Sequence, residues 1–144
     1  MRFISKQLAA LAPLGVTFVL LVIAGCGGGR AGDVPDLGTV SGTVTLDGKP
    51  LADATVGFHS ATAKRVSTGV TDNEGKYSMY LMNDIQGAPL GDNTVTISTA
   101  KMGDDAVPGS SKPETLPAKY NNKSTLTADV KAGDNTFDFP LQSK

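Results

Sequence analysis

Between Gly38 and Leu141 apolar and polar residues alternate in short runs, and turn-forming residues separate the runs. Period two marks an extended strand with one face in a core and the other in water. The first run, Val40 to Leu46, directs Val40, Val44 and Leu46 inward and Ser41, Thr43 and Thr45 outward. Gly42 falls on the inward side, where a glycine permits a bulge or a close backbone approach. Ala54 to His59 follows with Ala54, Val56 and Phe58 inward, and then Val66 to Thr71 with Val66, Thr68 and Val70 inward. Lys76 to Leu81 places Tyr77, Met79 and Leu81 inward, and Asn93 to Thr99 places Val95 and Ile97 there. Thr125 to Val130 contributes Leu126, Ala128 and Val130, and Asn135 to Leu141 contributes Phe137, Phe139 and Leu141. Asp47-Gly48, Asp72-Asn73-Glu74-Gly75 and Ala132-Gly133-Asp134 supply turns. Seven short strands joined in this way predict an all-β chain folded as a seven-stranded β-sandwich.

With 144 residues the chain has room for one domain of ordinary size. Hydrophobic residues are 40% and charged residues 19%, a balance that supports a packed core. The single Cys excludes an internal disulfide, so the core must come from the alternating strands alone. Two segments break the rhythm. Met82 to Asp92 reads as a loop with Gly87, Pro89 and Gly91. Ala100 to Ser124 carries Pro108, Pro113 and Pro117. A segment this long without structure of its own is expected to be functional or mobile. A short edge strand is expected within it, around Ala118 to Asn121.

The N-terminus has a different character. Arg2 and Lys6 precede a charge-free stretch from Leu8 to Gly25, interrupted by Pro13 and Gly15. A basic start followed by a short apolar run is the layout of a secretory signal peptide. The run ends Ile23-Ala24-Gly25-Cys26 and resembles the bacterial lipoprotein box. That resemblance implies a diacylglycerol on the Cys26 sulfur, cleavage between Gly25 and Cys26, and acylation of the new amino group, as by palmitate. Several acyl chains hold a protein firmly at a membrane. Gly27-Gly28-Gly29-Arg30-Ala31-Gly32 follows and reads as a tether. A phosphate-binding glycine loop is excluded, because no strand precedes it and no Gly-Lys-Ser/Thr follows. Residues 1–25 are therefore read as a leader, 26–37 as a tether and 38–144 as the folded domain. The residue after Cys26 is Gly27 and not Asp, which by enteric-type sorting implies the outer membrane, on its periplasmic or surface face.

Two segments of the body carry a second resemblance. Gly42-Thr43-Val44 with Asp47-Gly48-Lys49-Pro50-Leu51-Ala52-Asp53-Ala54-Thr55-Val56 is one. Ser67-Thr68-Gly69-Val70-Thr71-Asp72-Asn73-Glu74-Gly75-Lys76-Tyr77 is the other. Together they resemble the opening of a carboxypeptidase regulatory-like domain, which implies a transthyretin-like (prealbumin-like) sandwich. These motifs record turn chemistry: Gly75 is expected at positive φ, and Asp72 is expected to bond the turn's amides. They carry no catalytic residues, and fold does not imply function.

The chemistry-bearing residues are few. Lys and Arg number 13 against 14 Asp and Glu, a net charge of −1, which argues against nucleic acid as a partner. One His and one Cys leave no Cys/His zinc set and at most one base for a nucleophilic triad. His59 falls on an outward position. Transthyretin-like hydroxyisourate hydrolases use several His and a terminal Tyr-Arg-Gly-Ser, whereas this chain ends Pro140-Leu141-Gln142-Ser143-Lys144. The expectation is a protein that is no enzyme and uses no cofactor or metal. Asp72, Asn73 and Glu74 lack the spacing of a calcium loop. The outward strand positions are rich in Thr and Ser. Such a face suits a soluble sheet, or contact with an envelope protein or a polysaccharide. Tyr80 and Tyr120 are the aromatics expected to be available for contact, with carbohydrate binding or an accessory role in an envelope transport or secretion assembly as alternatives.

Overall fold

The computed structural model describes residues 34–82 and 84–144. They form an all-β structure with two sheets whose inner faces share one core. The strands in chain order are β1 (Leu37–Leu46), β2 (Lys49–Pro50), β3 (Thr55–Ser60), β4 (Arg65–Val70), β5 (Lys76–Ser78) and β6 (Tyr80–Leu81). After them come β7 (Ile85–Gln86), β8 (Ala88–Pro89), β9 (Gly91–Ser98), β10 (Leu126–Val130), β11 (Asp134–Thr136) and β12 (Phe139–Leu141).

The first sheet is built on β1. It pairs antiparallel with β2, β5 and β8 and parallel with β11 and β12. The second sheet is antiparallel throughout, in the order β10-β9-β3-β4-β6-β7. Phe58 of β3 bridges the layers: its ring lies 5.9 Å from that of Phe137 and 6.3 Å from that of Phe139. Val40, Val44, Val56, Met79, Val95 and Ile97 complete the centre, each wholly buried.

The turn chemistry follows the sequence closely. Asp47 and Gly48 both adopt positive φ, 50° and 81°, as a two-residue hairpin requires. Gly75 sits at φ 75°, and Asp72 Oδ1 accepts from the amides of Glu74 at 2.8 Å and Lys76 at 3.0 Å. Gly42 does permit a close approach. A Cβ there would lie 1.8 Å from the Phe137 carbonyl oxygen, which also accepts from Tyr77 Oη at 2.6 Å. Burial and the nearby Asp138 carboxylate push the Tyr77 hydroxyl far above its ordinary pKa.

Five expectations are corrected. Met82 to Asp92, expected as a loop, contains β7, β8 and the first residues of β9. Two of the seven predicted strands are broken. Lys76 to Leu81 changes sheets at Met79, because β5 pairs with β1 whereas β6 pairs with β4. Asn135 to Leu141 is interrupted at Phe137 and Asp138, where Asp138 Oδ1 accepts the Thr43 amide at 2.9 Å. The predicted inward face of the third strand is inverted: Ser67 and Gly69 of β4 are buried, while Val66 and Val70 are 45% and 53% exposed. The cause lies in the neighbours. Phe58 and Val56 stand opposite Ser67 and Gly69, and a Cβ on Gly69 would meet the Ser78 carbonyl at 2.3 Å. A valine does not fit there, so the small residues turn inward. Finally, the expected edge strand near Ala118 is a 3-10 turn, Ala118–Tyr120.

Candidate functional site

The outer face of the second sheet and the long loop beside it bring His59, Thr96, Ser98, Glu114, Asn121 and Asn122 together. Gly57 leaves a gap in this face, and the His59 imidazole reaches across it to Thr96, Nε2 to Oγ1 at 2.9 Å. A Cβ at Gly57 would lie 2.8 Å from Thr96 Oγ1 and 3.0 Å from His59 Nε2. His59 is exposed, as its outward position predicts. Thr96, Ser98, Ala100, Glu114, Asn121 and Asn122 continue from it as an open groove of about 320 Å³.

The Ala100 to Ser124 loop forms one wall of this groove, and it is tied down at two places. Lys101 and Lys112 exchange backbone hydrogen bonds at 2.9 and 3.0 Å, and both ammonium groups meet the Asp53 carboxylate. Hydrogen bonds from the two lysines hold Asp53 at a pKa of about 2. Asp53 itself adopts φ 59°, an unusual conformation for a residue with a side chain. The second anchor is Glu114. Its carboxylate accepts from Ser98 Oγ, from the amide and hydroxyl of Thr99, and from the amides of Thr115 and Leu116. Partial burial raises its pKa, but the donors from Ser98, Leu116 and Thr99 prevail and bring it down to about 2.

Ser98 donates to Glu114, whereas the His59 imidazole pairs with the Thr96 hydroxyl, so the Ser98 hydroxyl and the imidazole belong to separate contacts. Five donors converge on the Glu114 carboxylate, which is the arrangement of a structural acceptor. Among the described residues, no group of three or more His, Cys, Asp and Glu is placed to hold a metal ion.

The residues singled out from sequence are dispersed. Cys26 lies outside the described residues. Tyr80 is on the outer face of β6, 38% exposed, beside an open groove of about 420 Å³ lined by Thr68, Val70, Asp72 and Lys76. Tyr120 is not available for contact. It is buried in the core cluster, and its hydroxyl accepts the Gln142 amide at 3.0 Å. The 3-10 turn after Pro117 carries Tyr120 inward, where an extended segment would have left it at an edge. Tyr80 and Tyr120 therefore form no paired stacking platform of the kind that carbohydrate recognition uses. Sequence reasoning missed Glu114 and Asp53 as organising residues. A lone Glu between Pro113 and Thr115, and an Asp next to Ala54, give no local signal of partners that lie far along the chain.

Comparison with known proteins finds no family model that matches the chain and no curated protein with significant similarity to it.

Proposed function

We propose that the chain is a lipid-anchored cell-envelope protein, joined through Cys26 to a non-catalytic, transthyretin-like β-sandwich that acts as a binding or structural module. One observation carries the reading. The only cysteine in the chain directly follows Ile23-Ala24-Gly25 at the end of a charge-free apolar run, and a glycine-rich segment separates it from the domain. The non-catalytic part draws support from the site. Its acidic groups organise loops, Glu114 by accepting from Ser98 and Thr99 and Asp53 by pairing with Lys101 and Lys112. The transthyretin-like assignment draws support from the turns at Asp47-Gly48 and Asp72 to Gly75, which adopt the conformations the resembling motif requires.

The test is mass spectrometry of the chain expressed with its leader in a Gram-negative bacterium. The expected product begins at Cys26 and carries diacylglycerol and an amide-linked acyl chain. Cys26→Ser should leave an unprocessed precursor without lipid. Normal processing and detergent partitioning of that variant would overturn the reading. A pull-down from envelope extract then separates a protein partner from a polysaccharide one.

A further inference from the structure

Val66, Met82 and Ile85 are 45%, 68% and 37% exposed and lie at one end of the sandwich. The strand register brings them together. His59 pairs with Val66, Ser67 with Leu81, and Leu81 with Ile85, so the β3–β4 turn and the β6–β7 turn sit side by side. The chain enters the domain at this same end. Leu37 pairs with Pro89 and Gly38 with Ala88, and only Gly87 separates β8 from β7.

We infer that this end, with Val66, Met82 and Ile85, is a membrane-facing surface that rests in the headgroup region of the bilayer to which Cys26 is tied. The inference depends on the lipid-anchor reading above. Chain length supplies the argument for this occupant. The eleven residues from Gly27 to Leu37 span at most about 40 Å in any conformation. The near end needs none of that reach to touch the bilayer. The opposite end also exposes apolar groups, Val70, Met102 and Val107. It lies the length of β9 away, about 27 Å for eight residues, and the connecting chain would have to run back along the domain to present it. The rim of the near end has mixed charge, with Lys64 and Arg65 before Val66 and Asp84 after Met82. A few apolar side chains within a charged rim suit shallow seating at the interface, not insertion.

The test uses the full, processed chain in vesicles of phosphatidylethanolamine and phosphatidylglycerol. Once Cys26 is acylated, a single introduced cysteine is the one free thiol. Met82→Cys, Ile85→Cys, Val66→Cys and, as a reference at the far end, Glu74→Cys are each labelled with nitrobenzoxadiazole. Circular dichroism selects the variants that fold, and mass spectrometry confirms the lipid on Cys26. The expected result is blue-shifted emission at positions 66, 82 and 85, with severalfold stronger quenching by spin-labelled phospholipid than at 74. Equal, weak quenching at all four positions on lipidated protein overturns this inference and leaves the anchor intact. A blue shift that lipid quenchers do not touch indicates contact between copies and overturns it as well. Absence of lipid on Cys26 overturns both readings.

Discussion

Replacing Glu114 by Gln tests whether the long loop is held by a carboxylate. The side chain keeps its size, but one of its two oxygens becomes an amide that faces donors. Five donors converge on the native group, two of them hydroxyls and three of them backbone amides. Hydrogen bonding lowers the Glu114 pKa from 4.5 to about 2, against the upward push of burial. A shift of this size in a buried group would correspond to roughly 3 kcal/mol, at about 1.4 kcal/mol per unit. Glu114 is largely exposed, and solvent screening reduces the figure to about 1 kcal/mol. For a domain of this size that is a fall in Tm of about 3–6 °C. The sign follows from linkage. A depressed carboxylate pKa stabilises the fold above the unfolded value of 4.5, and the contribution is lost as pH falls toward 2. Thermal melts by circular dichroism should therefore separate wild type from Glu114→Gln at neutral pH and bring them together near pH 2. Hydrogen exchange should show faster opening at the Thr99 and Leu116 amides in the variant. Equal Tm values across the whole pH range, with unchanged protection of those amides, would refute the argument.

Asp53→Asn should release Lys101 and Lys112 and speed amide exchange at both lysines, while leaving β3 and β9 protected. In the native chain the same loosening should develop as pH falls from 3.8 toward 2, since Asp53 is held at a pKa of about 2. Phe58→Ala removes the wholly buried ring that joins the two sheets and should cost about 3–5 kcal/mol, read from urea denaturation. Val66→Thr and Val70→Thr should each change stability by less than about 0.5 kcal/mol, because both side chains face water. A loss of several times that amount in the same denaturation assay would restore the opposite face of β4 to the core.

Most of the strands and turns were legible because their causes are local. Alternation along Ala54 to His59 or Asn93 to Thr99 needs no distant partner to be read, and the inward residues Ala54, Val56, Phe58, Val95 and Ile97 are buried as expected. The same holds for the Asp72 to Gly75 turn, where a side chain bonds amides two and four residues away. The buried face of β4 is not legible locally, because alternation in Val66 to Thr71 points to the valines, whereas the available volume is set by Phe58 of β3 and by Met79 between β5 and β6. The candidate site was hardly legible at all. His59 could be placed on an outward position. Its pairing with Thr96, and the gathering of Ser98 and Thr99 around Glu114, join residues that are fifteen or more positions apart.

The sequence by itself determined that the body is built from short strands with one buried face, where the chain turns, and that a charge-free apolar run ends at its one cysteine. Those features rest on side-chain polarity and on backbone preferences within a few residues. Only the tertiary structure decided where a strand passes from one sheet to the other, which face of β4 is buried, that Tyr120 is core, and that the long loop is tied down. Each of these depends on the volume and the hydrogen-bonding groups that distant segments leave open, and those exist only once the two sheets have packed.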